Sequence, residues 1–503
     1  MSLVIESTKP GVTAVVNQGQ VARPFTRQPS STAFAIGFAP WGPVGVRKLV
    51  TSWSEFLRTY GGFHALGWIA ELAYVYFNLF GGKQMMLVRA AGSSAVVSTV
   101  TRNNRAGTPA ATFKFDAKYP SSTVDISVTV VDTSDTDRCD ISISSDALGI
   151  VETYKGADLR DNSERTAINS ASRLVNISLV AETVSGPTGR PAAGTFALTG
   201  GTDDTSDYDL EDLADYLSQF ADENLGGGQV LIPGQYDPAN VAALTAHAEQ
   251  YNRLAILDHE LAADYQDVAA DMNDTPSSHA AAYFPWVEMP PMAGQDRKFF
   301  PPSIFAAGVC ARVDRTIGTH KAPANIKVPN AIDVERNVDG TSVINDGVRE
   351  FLNGKNINVI APVEGEGIKI YGARVLAEAG ETRIKFVHER RMLNLIYYTA
   401  KIGYRWAVFA VVDGAGRLFR DLRASGQNFL RSLWQSGGLY GRTEEEAFIV
   451  VADETNNPPE DLAEGRVHVQ IGVKLSPTAE QIFVNIDNVP LGQDLNILTG
   501  GDA

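Results

Sequence analysis

Cysteine is nearly absent from this chain: 503 residues hold only Cys139 and Cys310, with no CxxC and no histidine at ligand spacing. A disulfide framework and a zinc site are both excluded as organising devices. A basic surface is lacking too, since the net charge is −16 and phosphate-rich partners need the opposite sign, so no nucleic-acid partner is expected. No apolar run is long enough to cross a bilayer. The most apolar helical stretch, 67–80, is too short and carries Glu71 and Asn78, and the opening MSLVIESTKPGVT has no basic start followed by an apolar run. The expectation is a soluble protein made in a cytoplasm, with no membrane partner. Catalytic signatures are missing as well: there is no HExxH, GxSxG or GxxxxGK[ST], and seven histidines in so long a chain are accounted for by ordinary hydrogen-bonded roles. The expected catalytic, cofactor-binding and metal sites are therefore none.

What is present is a multidomain α/β chain, too long for a single core. Residues 1–30 hold Pro10, Gly11, Pro24 and Pro29 around one short apolar strand, Val12, Ala14 and Val16 on its alternate positions, and read as an N-terminal arm. A lone strand buries too little to hold its shape, so it must join a sheet. From residue 33 a strand, a turn, a helix with Ser52 and Glu55 at capping-box spacing, a second helix ending at Gly81-Gly82 and the strand 85–89 form an α/β unit. Residues 97–197 turn rich in Ser, Thr and Asp with alternating runs at 112–115, 124–131 and 141–143, which predicts a mostly β, surface-exposed insertion domain. DTSDTD at 132–137 lacks the Gly and Glu of a calcium loop and reads as a solvated turn. Then Leu210, Leu213, Ala214, Leu217 and Phe220 mark a helix, and strands at 229–232 and 254–257 alternate with helices, predicting a small parallel or mixed sheet.

The C-terminal quarter reads as helix, strand at 406–412, long helix 417–434, then strands through 467–473 and 482–486. Strand 406–412 followed by Asp413-Gly-Ala-Gly416 imitates a dinucleotide loop, but Phe419 stands where a third glycine would let helix and strand approach. A tight turn is the stronger reading. Charge is segregated here: residues 386–442 hold nine Lys or Arg against three Asp or Glu, and 443–503 hold two against twelve. Such blocks suit head-to-tail contact between identical copies, or form a solvated surface. The last apolar alternation, Ile482, Val484 and Ile486, lies beyond Pro477 near a polar end, placed to pair with a neighbour's edge strand.

At 311–325 the chain reads ARVDRTIGTHKAPAN, and here it resembles the tail sheath proteins of contractile bacteriophage tails and related injection systems. PGV at 10–12, GFAPWGPVG at 37–45, LVTSWSEFLRTYGG at 49–62, FNLFGGKQMMLVR at 77–89 and LRSLWQSGGLYG at 430–441 are similar to family segments in matching order, whereas Thr13, Ala14 and His320 depart from them. The resemblance implies an α+β, α/β multidomain fold: arm 1–30, middle domain 31–96 with 198–345, β-rich insertion 97–197, C-terminal core 346–475 and C-terminal arm 476–503. It also implies stacked hexameric rings of this chain around a tail tube protein, with baseplate and tail terminator proteins as further partners, in a virion tail assembled in a host bacterium's cytoplasm. Arms carrying Val12, Ala14, Val16, Ile482, Val484 and Ile486 would complete neighbours' sheets, with hinges at 18–29 and 453–465. On the long helix, Arg417, Arg420, Arg423 and Arg431 form a basic arc that faces the tube, a neighbour's acidic tail, or solvent. The alternatives are a nucleotide-dependent α/β enzyme with a β accessory domain, or another tail or baseplate component.

Overall fold

A computed structural model describes residues 23–484 except 107, 181–189, 205–209, 293–297, 336–341, 379 and 382. Its centre is a nine-stranded sheet, larger than the sequence pattern suggests. Running across it from one edge are Ile326–Lys327, Gly367–Ile370, Asn358–Val363, Ala280–Phe284, Leu254–Leu257, Gln229–Leu231, Ala33–Phe38, Met85–Ala90 and Lys48–Val50. The six strands from Asn358–Val363 to Met85–Ala90 are mutually parallel, and the edges are antiparallel. Parallel strands need cover on both faces; Ala33–Phe38 accordingly has every residue buried. On one face Ile304, Phe305, Leu72 and Tyr76 pack against Ala33, Ala35 and Leu87. On the other, Leu213, Leu217, Leu244 and Val268 cover Phe34, Ile36 and Val230.

The sheet carries strands from both sides of residue 345, so the expected boundary there falls inside it; Asn358 locks this join, its side-chain amide donating to Ala282 O and Arg374 O. Residues 210–220 form a 3-10 helix where apolar spacing predicts an α-helix, because i, i+3 contacts satisfy either form. At Ser52 the hydroxyl accepts from Glu55 N, and the Glu55 carboxylate reaches back to Thr51 N, one residue earlier than a capping box requires.

Within 97–197 lie two antiparallel sheets. One holds Thr99–Asn103, Ala111–Ala117 and Val175–Leu179; the other holds Gly194–Ala197, Ser127–Asp132, Cys139–Ser145 and Ile150–Ala157. Cys139–Ser145 alternates strictly between buried and half-buried positions, and the inward faces share one apolar cluster. A helix over Asn162–Ala171 escapes the sequence reading because only Ile168 on it is buried, leaving no apolar stripe. Arg89, on strand Met85–Ala90, is fully buried and donates to Gly42 O and Pro120 O at 2.7 Å each, tying this segment to the central sheet.

Candidate assembly interface

The last part of the described chain is built around two helices, Val387–Gly403 and Arg417–Gln435. Met392, Leu395 and Ile396 of the first meet Phe429, Leu430 and Leu433 of the second, and both pack on the antiparallel pair Phe448–Val451 and Gln470–Val473. Leu418 and Leu422 continue the long helix's buried stripe beside Ala452. The pair is four residues per strand, and no third strand extends it among the described residues. Two short strands are marginal as a sheet; Ile449 stands 60% exposed on it.

Beyond Val473 the chain runs on beside residues 438–440, Leu475 bridging Leu439, with Ser476 O accepting from His388 Nε2 at 3.2 Å. It then makes one firm contact: Glu480 accepts from Arg374 Nε and Nη2 at 2.8 and 2.6 Å, and these bonds and Arg374's charge outweigh burial and hold its carboxyl below the usual range. Past Glu480, Ile482 and Val484 occupy no strand and, with Phe483, are 75–85% exposed. Moving such side chains out of water is worth roughly 1.5–3 kcal/mol each. Ile486 lies outside the described residues, as do Val12, Ala14 and Val16.

Residues 23–30 are not a free hinge. Phe25 sits edge-on to Tyr404 with ring centroids 4.8 Å apart and lies over Gly403, where a Cβ would come within 2.4 Å of its ring. Arg23 N donates to Ser425 Oγ, Gln28 N to Thr399 Oγ1, and Ser30 Oγ to Asp314 Oδ2 at 2.6 Å. That carboxylate also receives Arg391 Nη2 at 2.7 Å; burial works against the guanidinium's charge, but Asp314 beside it more than compensates and raises its pKa. The expected hinge at 453–465 is also tied down. It contains the helix Pro459–Ala463, Asn456 Nδ2 donates to Val451 O, and Asn457 exchanges hydrogen bonds with the His468 backbone.

The basic arc divides. Arg431 forms a two-pronged pair with Glu444 at 2.6 and 2.8 Å, and Arg423 lies 3.5 Å from Asp453. Arg417 is 3.7 Å from Asp413 but largely exposed, and Arg420 is exposed. The expected strand at 406–412 is absent: residues 405–407 form a single 3-10 turn and 408–412 a loop. Its apolar side chains point outward, Phe409 fully exposed, Val411 83% and Val408 65%. Beside the loop runs a groove of about 730 Å³ lined by Leu418, Leu422, Val467 and Val469 among others. Apolar runs of this kind read as buried strands in sequence because composition alone does not reveal exposure.

The buried titratable group Asp258 is used within the fold. Burial pushes the Asp258 carboxyl up to about 6, yet its oxygens are taken up by Ser303 N, Ser303 Oγ and Gly234 N inside the fold. Among the described residues no three His, Cys, Asp or Glu side chains lie together as metal ligands, and no helix is long and apolar enough to cross a membrane.

Residues 210–375 match the profile of the phage tail sheath protein central domain. The chain is 26% identical to a prophage major tail sheath protein of Pseudomonas aeruginosa (strain UCBPP-PA14) over 292 residues, 58% of this chain and 72% of that one. It is 25% identical to the tail sheath protein of Burkholderia phage BcepMu over 266 residues, 50% of this chain and 54% of the relative. Among solved structures, the contracted PVC sheath complex of an extracellular contractile injection system superposes with a TM-score of 0.58, 17% identity and coverage of 98% of this chain and 100% of that chain. A sheath tail protein from Listeria innocua gives 0.60 at 13% identity, covering 86% and 90%. Sequence relatives and fold agree: the chain is similar to phage tail sheath proteins, its central part matches their central domain, and it shares the fold of solved sheath subunits.

Proposed function

We propose that this chain is the structural subunit of a contractile tail sheath, a polymer of identical copies around a tube, and that it carries no catalytic activity. One observation carries the reading: the C-terminal core stops at two short strands while Ile482, Phe483 and Val484 leave the same molecule exposed. A strand of one copy laid on the open pair of the next would bury both, each new main-chain hydrogen bond adding roughly 1 kcal/mol net. The segment around Val12, Ala14 and Val16 would add a second link. A heterologous contact generates rings where its rotation closes and helical stacks where it does not, here hexameric rings stacked along the tube. Contraction would release energy stored in the extended lattice, and Arg417 and Arg420 are left to face the tube or a neighbour. The similar solved structures include a sheath complex, a helical sheath in the contracted state and a baseplate, which supports self-association and a baseplate partner in a tail.

The test is negative-stain microscopy of the purified chain and of a version ending at residue 476. Tubes or stacked rings from the whole chain, and discrete folded monomers from the shortened one, are expected. Unchanged tubes after shortening would remove strand exchange by this arm. Arg417→Glu with Arg420→Glu should weaken assembly or loosen it from the tube.

A further inference from the structure

Where the N-terminal arm leaves the C-terminal core and enters the central sheet lies a cleft of about 280 Å³, between residues 27–31, the Gly81–Gln84 turn and the end of helix Pro302–Thr316. Arg27, Lys83 and Arg315 stand exposed on it, and among the described residues none of them pairs with a carboxylate. Arg27 donates to the Thr319 hydroxyl, and the Arg315 guanidinium lies against Gly81, where a Cβ would come within 3.1 Å of it. On the cleft wall is Asp314, whose charge is balanced by buried Arg391 through Oδ2. Its Oδ1 is enclosed by the protein and so is closed to an occupant of the cleft. Three cations that are unpaired among the described residues suit an occupant bringing several carboxylates on one chain. An acidic peptide meets them at several points at once; a small inorganic anion meets them at one.

The chain itself contains such a peptide. Residues 485–503 include Asp487, Asp494 and Asp502 and no Lys or Arg. The acid before them, Glu480, is already held by Arg374 and Lys385. Nineteen residues reach about 60 Å when extended. We infer that the acidic segment 485–503 of one copy docks in the Arg27–Lys83–Arg315 cleft of a neighbouring copy. This rests on the sheath reading and deepens it: strand exchange would supply the link, and the cleft would hold the residues beyond the exchanged strand, adding salt-sensitive attraction at each junction.

The test separates this contact from polymerisation. The full chain with Asp487→Lys, Asp494→Lys and Asp502→Lys serves as receptor, so that its own segment does not compete, and a labelled synthetic peptide of residues 485–503 is titrated by fluorescence anisotropy at low and high salt. Binding is expected, weaker by at least about tenfold at high salt, for a peptide with the three Asp→Asn changes, and for a receptor also carrying Arg27→Glu, Lys83→Glu and Arg315→Glu. Inorganic phosphate should not compete at equal concentration. Equal binding of the peptide to both receptors, or of the acidic and amide peptides to one, overturns the inference, as does the lack of any binding to a receptor whose circular dichroism is native. In assembly, the cationic and acidic reversal sets should each raise the concentration needed for tubes, and together restore it. Tubes indifferent to both sets would sink the cleft contact while leaving the sheath reading intact; a chain that forms no tubes at all would count against that reading instead.

Discussion

The central nine-stranded sheet and the C-terminal strand pair are made of similar residues and treated oppositely. In the sheet, Ala33–Phe38 is paired on both sides and buried throughout. In the pair, Gln470–Val473 is exposed or half-buried at each position, and Ile482, Phe483 and Val484 come after it uncovered. One region is complete in a single molecule. The other has spare edges and spare apolar side chains, the arrangement that soluble monomers avoid and polymers need.

The contrast breaks most visibly in the core. Phe305→Ala removes a fully buried ring packed on the central sheet and should cost about 3–5 kcal/mol, read as a lowered urea midpoint. If it costs less than about 1 kcal/mol, the sheet is not the stable part. Next comes Asp258, whose folded pKa of about 6 lies above the value near ~3.9 in an unfolded chain. The folded state then binds the extra proton between about pH 4 and 6, so this group's effect favours folding most below about pH 4 and is lost as pH rises to about 6. Over that window the slope should amount to about 3 kcal/mol and flatten in Asp258→Asn, whose shape keeps an acceptor for Ser303; urea unfolding across the window measures it. Smaller again, Ser52→Ala should cost about 1 kcal/mol by leaving Glu55 N uncapped. Smallest for the monomer, Ile482→Asp should shift stability by less than about 0.5 kcal/mol while preventing tube formation. A large loss of monomer stability there would mean the C-terminal segment is already packed at home.

Local elements were readable where burial imposes a period. The alternation at 141–143 became part of strand Cys139–Ser145, and the glycines at 81 and 82 end their helix, Gly81 with φ of 69°. The loop 408–412 misled for a physical reason: Val408, Phe409 and Val411 have the composition of a strand bound for a core, yet in this chain they form an exposed loop. Charge was legible and partnership was not. Arg431 belongs to a basic block in sequence, yet it is neutralised by Glu444 thirteen positions on, across a turn that periodicity does not reveal. Phe25 gave no signal at all, since a single aromatic in a proline-bearing segment has no pattern; only the gap above Gly403 explains it.

The route of residues 23–33 has a mechanical consequence. The segment is bolted beside Tyr404 and at Asp314, then runs straight into Ala33–Phe38, the strand held between Gln229–Leu231 and Met85–Ala90. A tug along the arm pulls that strand lengthwise, so its rungs on both sides bear the load together instead of opening one by one like a zipper. The part of the molecule to which a neighbour would be tethered is thus harnessed to its stiffest plank.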